Sequence, residues 1–229
     1  MSEKVKKKNT IVKDAVILCV ITLIAGLLLG FVYDITKEPI KKAEQNVKDE
    51  AYAKLFENAK SFETTDELAK LCEESGDFLD GKSYSSGDVT YDFSGITVDE
   101  IVKAMDGDEL KGYVITLTTP NGYGGDIQIA LGVDSTKTVT GLQILSINET
   151  PGLGMNATGD FKDQFTGHQV DGFVHTKNGK SADNEVDAIT SATITTKAVT
   201  GAVDAGLLFA QDQLGLNGAS DDNASDVKE

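Results

Sequence analysis

The chain has no tryptophan and no arginine, only two cysteines and only three prolines, and each shortage closes a class of explanation. Without arginine there is no planar guanidinium fork for phosphates or base edges, and a formal net charge of −16 repels nucleic acid, so no nucleic-acid partner is expected. Cys19 lies inside an apolar run and Cys72 stands alone among polar residues, which leaves no plausible disulfide. Nor do the cysteines form a pair, or a cluster with His168 and His175, spaced for zinc or an iron–sulfur centre, so no metal site is expected. There is no Gly-x-Gly-x-x-Gly turn in a strand–helix–strand setting, which argues against nicotinamide dinucleotide binding by this chain.

One long hydrophobic run is present. Ala15 to Tyr33 is nineteen residues without a charge, enough to cross a bilayer, and Lys4, Lys6, Lys7, Lys8 and Lys13 precede it. The lysine excess places the N-terminus in the cytoplasm and the remainder outside, as a single-pass protein of the cell (inner) membrane. A cleaved signal peptide would need a shorter apolar core and a small-x-small site, which Phe31-Val32-Tyr33-Asp34-Ile35 does not supply. Cys19 follows bulky Leu18 and sits deep in the run, so it reads as a lipid- or helix-facing residue, not an acylation site. The layout expected is a basic cytoplasmic tail (1–13), a transmembrane helix (14–36), a helical and irregular connector packed on the domain (37–94), a ligand-binding domain (95–215) and an acidic disordered tail (216–229).

Pro39 fits the first turn of a new helix whose face is Ile40, Ala43, Val47, Ala51 and Leu55. From Ser61 to Ser94 the composition turns to Ser, Gly and acid, which reads as an ordered but irregular connection with a short helix around Asp66 to Cys72. Thr97 to Ala104, Leu110 to Thr118, Asp126 to Val133 and Val139 to Ile147 then read as strands joined by turn chemistry. Connections this short permit an antiparallel meander and no parallel crossover. Phe161 and Phe165 mark a short helix, Val170 to His175 a further strand, and Ala198, Val199, Ala202, Val203, Gly206, Leu207, Ala210 and Leu214 one face of a long helix from about Thr195. The fold class is α+β: one N-terminal transmembrane helix, then one extracytoplasmic domain with an antiparallel sheet packed by helices.

Two stretches carry the chemistry. Asp187-Ala188-Ile189-Thr190-Ser191-Ala192-Thr193 ends a hydroxyl-rich cluster at the start of the long helix, where free N–H groups favour an anion. An ordinary cap formed by Ser191, Thr193, Thr195 or Thr196 is the plain alternative. Glu149-Thr150-Pro151-Gly152-Leu153-Gly154 follows the fourth strand, where proline and glycine make either a tight turn or a backbone that a ligand can approach. Taken in order with Gly122-Tyr123-Gly124-Gly125, these stretches resemble the FMN-binding domain family, in which FMN is esterified through its phosphate to the last Thr of Asp-x-x-(Ser/Thr)-Gly-Ala-Thr. With the membrane helix, the layout resembles the G subunits of Rnf electron-transport complexes and the related C subunits of sodium-pumping NADH:quinone reductases.

That resemblance implies covalent FMN on Thr193, with Tyr123, Glu149, Thr150, Leu153 and Gly154 against the ring or ribityl chain and Ser191 and Ala192 at the phosphate. Ser191 departs from the family pattern, which has glycine there. Thr193 has no general base beside it in sequence, so a separate flavin transferase that uses FAD as donor is implied. The resemblance further implies an electron carrier within a membrane complex that couples ferredoxin:NAD⁺ electron transfer to ion movement, with other subunits as partners, no catalytic residues and no expected activity alone. A C-type subunit of the quinone reductase, a free-standing flavin carrier and a membrane-anchored binding module without redox function are the other readings.

Overall fold

A computed structural model describes residues 11–216 of the chain. The tails expected at 1–13 and 216–229 therefore fall almost wholly outside the described residues. The chain divides into two compact units between Val47 and Lys48.

Helix α1 (Ile11–Leu55) contains the apolar run. Among the described residues it is the one helix long and apolar enough to cross a membrane. Val16, Leu18, Leu23, Leu27 and Phe31 are exposed along it, as lipid contact requires. Its two threonines point their hydroxyls back into the helix, Thr22 to the Leu18 carbonyl and Thr36 to the Val32 carbonyl, each at 3.0 Å, so neither is left unpaired in an apolar surrounding. The new helix expected at Pro39 is not observed, because α1 runs through it. Proline deletes one backbone donor, and good helix formers on both sides resume the ladder.

In the second unit, β1 (Ser61–Glu63), β4 (Thr97–Asp106), β5 (Glu109–Thr119), β6 (Ile127–Asp134) and β7 (Val139–Ser146) form an antiparallel sheet in the order β1-β4-β5-β6-β7. The four longer strands are the expected meander, each within two residues of its predicted ends. Their register aligns Ile101, Ile115, Leu131 and Leu142 across one face, all buried in the main core. The neighbouring row, Val102, Val114, Gly132 and Gly141, points to the other face, since side chains alternate along a strand. There the end of α1 packs through Ala51, Tyr52, Leu55 and the following Phe56. A Cβ on Gly132 would sit 3.1 Å from the Leu55 Cβ, and one on Gly141 3.0 Å from its Cδ2, so these glycines make the seat for that leucine.

The main core face is covered by α5 (Thr193–Leu214), which begins two residues earlier than the apolar spacing indicates. A Cβ on Gly206 would lie 2.8 Å from Leu131 Cδ2, which shows how closely helix and sheet approach. The segment expected to be irregular holds the expected short helix as α2 (Asp66–Glu73), and beyond it α3 (Ser75–Leu79) and a hairpin of β2 (Ser83–Ser86) with β3 (Val89–Asp92). It contributes Leu68, Leu79, Tyr91 and Phe93 to the core, so α5 is enclosed on its outer side as well and has few exposed positions. A 3-10 turn (Gly154–Thr158) and α4 (Asp160–Asp163) follow β7, and a short parallel pair, β8 (Val174–Thr176) with β9 (Glu185–Asp187), leads the chain to the start of α5.

Candidate functional site

Two loops meet at the first turn of α5. In the loop after β7, the Leu153 N–H bonds the Thr150 carbonyl at 3.1 Å, and Gly152 has φ +76°. Proline second and a left-handed glycine third are the signature of a type II turn, which presents Leu153 outward, 40% exposed. Gly154 serves a different purpose. A Cβ there would fall 2.6 Å from both Glu149 Oε2 and Thr195 Oγ1, so only glycine lets the loop close on the helix.

Glu149 is buried, and its Oε1 accepts the Tyr123 N–H at 2.7 Å, with Gly124 N–H at 3.4 Å. This ties the loop to Gly122-Tyr123-Gly124-Gly125. That stretch is glycine-rich because it folds on itself and on the strand exit: a Cβ on Gly122 would lie 2.2 Å from the Gly125 carbonyl, and one on Gly124 1.8 Å from the Asn148 carbonyl. Tyr123 is left 70% exposed.

The second loop leaves β9 and turns at Ile189-Thr190-Ser191-Ala192, closed by the Ala192 N–H on the Ile189 carbonyl at 3.1 Å. Ser191, third in that turn, has φ +61°, a conformation that favours glycine. Thr196 braces it from inside: its hydroxyl accepts the Ile189 N–H at 3.1 Å and donates to the Ala192 carbonyl at 2.9 Å. Ala192 is the N-cap, without a side-chain cap bond, so the cap expected from Ser191 or a threonine is absent. No side chain therefore caps the N–H groups of the first turn of α5, and Thr193 is its first residue.

Between these loops lies a cleft of 410 Å³ lined by Tyr123, Glu149, Thr150, Leu153, Gly154, Ser191, Ala192, Thr193, Ile194 and Thr195. All eight residues expected at the site meet there, although they come from three separate parts of the sequence. Ile194 and Thr195 line it as well. For Ile194, which is half exposed, adjacency to Thr193 is the only signal in the sequence. Outside α1, the exposed large apolar residues among those described are Tyr123, Leu153 and Ile194. An apolar rim beside a helix start without a side-chain cap suits a ligand with a flat apolar body and an anionic end. Among the described residues no group of three or more His, Cys, Asp or Glu is placed to hold a metal ion.

Residues 122–208 match the sequence model of the family described as FMN-binding domain, and residues 1–54 match that of the RnfG N-terminal region. The chain is 41% identical over 97 residues to the G subunit of the Na⁺-translocating ferredoxin:NAD⁺ oxidoreductase complex of Acetobacterium woodii, covering 42% of this chain and 47% of that one. It is 41% identical over 98 residues to the G subunit of the proton-translocating ferredoxin:NAD⁺ oxidoreductase complex of Clostridium ljungdahlii, covering 42% and 52%. These two alignments span about half of each relative. A third, with the G subunit of the ion-translocating oxidoreductase complex of Methanosarcina acetivorans, is 29% identical over 208 residues and covers 90% of this chain and 97% of the relative.

Proposed function

We infer that this chain, which carries an FMN-binding domain behind an RnfG-type N-terminal region, is the membrane-anchored electron-carrier subunit of an ion-translocating ferredoxin:NAD⁺ oxidoreductase complex, with FMN bound covalently at Thr193. The observation that carries this reading is the cleft: the exposed apolar residues of the described domain surround the first residue of α5. The residues fit the cofactor. Leu153, Tyr123 and Ile194 offer apolar surface for a ring, and the N–H groups that follow Ala192 offer donors and a favourable dipole for a phosphate. FMN supplies reversible electron transfer when bound, and the protein supplies its position, solvation and electrostatic setting. Glu149 fixes the Tyr123 loop through its buried Oε1, and its charge disfavours an anionic reduced ring close by.

The Rnf-type reading is preferred to the quinone-reductase one because residues 1–54 match the RnfG N-terminal region. Other subunits of the membrane complex are then the partners of this chain. Attachment calls for an external flavin transferase with FAD as donor, since the Thr193 hydroxyl has no hydrogen-bonded base among the described residues.

Coexpression with a flavin transferase, followed by denaturing electrophoresis, tests the attachment. The wild type and Thr190→Ala, a change at an exposed position two residues before Ala192, retain flavin fluorescence after denaturation, and Thr193→Ala loses it. A Thr193→Ala protein that stays labelled overturns the assignment.

A further inference from the structure

We propose that Lys197 is the cation that pairs with the phosphate on Thr193, an inference that rests on the attachment proposed above. Lys197 is four residues after Thr193 on α5, hence on the same helix face. Side chains on a helix slope toward its N-terminus, which brings a lysine at this position within reach of the turn that Thr193 opens.

The lysine is also available. It is exposed, and among the described residues it makes no ion pair or hydrogen bond, whereas Lys137 is paired with Asp171 and Lys162 with Asp163. Lys197 and Ile194 line a second cavity of 320 Å³, and Ile194 lines the cleft too, so the two cavities adjoin at Ile194. The carboxylate in that second cavity is Asp92, whose Oδ1 already accepts the Ser94 N–H at 2.9 Å and hydroxyl at 2.8 Å.

The field of Lys197 is felt nearby. Behind burial, which is the larger cause, Lys197 and Lys177 hold the His175 imidazole below its usual range. In a chain without arginine and with a net charge of −16, an anion at Thr193 has a lysine as its one kind of fixed cationic partner.

A thermodynamic cycle on the full-length protein in detergent tests the pairing. Wild type and Lys197→Gln are each prepared with flavin, from cells containing a flavin transferase, and without it, from cells lacking one, and intact mass reports the labelled state. Attachment is expected to raise the folding constant about three-fold more in wild type than in Lys197→Gln at low salt. Lys197→Arg restores the difference, and salt near ~1 M, where the screening length is about 3 Å, removes it. Labelling that fails in Lys197→Gln and returns in Lys197→Arg supports the pairing equally. An equal gain in wild type and Lys197→Gln overturns it while leaving the attachment intact. Absence of label from the wild type overturns the attachment, and this inference with it.

Discussion

Ser191 shows most directly how one residue records a requirement of the backbone. The turn at Ile189–Ala192 needs a positive φ at its third position, and Ser191 supplies it at +61° in spite of its Cβ. An L-residue held left-handed costs about 1–2 kcal/mol, partly offset by the entropy that a glycine would bring to the unfolded chain. Ser191→Gly should therefore stabilise the protein by roughly 0.5–1 kcal/mol, read as a higher urea midpoint at an unchanged slope. A lower midpoint would mean that the serine hydroxyl holds the turn. The glycine of the family pattern thus has a conformational reason, and the departure in this sequence is a strained turn in the same place. Gly152 and Gly154, two residues apart, are glycines for different causes. The first needs a left-handed angle with nothing near it, and the second is pinned by two side chains.

Elements that are legible in the sequence share one property: enough consecutive residues to establish a period. The four long strands and α5 are of this kind. Apart from α2, which the sequence marks as a short helix, the elements between residues 61 and 94 are three to five residues long, too short for a period to stand out from Ser, Gly and Asp, and their tyrosines and phenylalanines find core positions that no local pattern marks. Strand β9 escapes notice for the same reason, having three residues beside a polar turn. The cleft residues are visible as motifs, and their meeting is legible only through the family resemblance and not from any local pattern, because it depends on β7 and β9 delivering their loops to one end of α5.

Within α5, Asp204 is a feature that the apolar spacing conceals. It is buried; its Oδ1 accepts the Phe173 N–H at 2.7 Å, and its Oδ2 has no partner. Burial drives its carboxyl well above the usual range, against the smaller opposing effect of that bond. A raised folded value means that the contribution to stability is fully present below the unfolded value of about 3.9 and is lost as pH rises through the folded one. Asp204→Asn keeps the acceptor and removes the titration. The urea midpoint of the wild type should accordingly fall relative to that of Asp204→Asn as pH is raised from about 4 toward neutrality. Curves that stay parallel would show that the carboxyl does not titrate in that range.

At the scale of the whole molecule, charge is distributed along the chain in a way that bears on its placement. Five lysines precede the apolar run, and the residues after it carry most of the acid. The orientation expected from this distribution, with the N-terminus in the cytoplasm and the cleft outside, is a proposal that a protease test can decide. Protease added to intact cells stripped of their wall should digest the domain, and protection that disappears on lysis would reverse the orientation.

The contact of Gly154 with Glu149 and Thr195 has a consequence for the electron-carrier role proposed above. Electron tunnelling weakens exponentially with separation, so a redox group swinging on a tether would give a broad spread of rates. Here the loop that would seat the ring is keyed to the helix that would hold the tether, with no room for one added carbon between them. Seat and tether then move together, and the gap to the next redox centre is set by how whole subunits dock and not by wandering of the cofactor on its own protein.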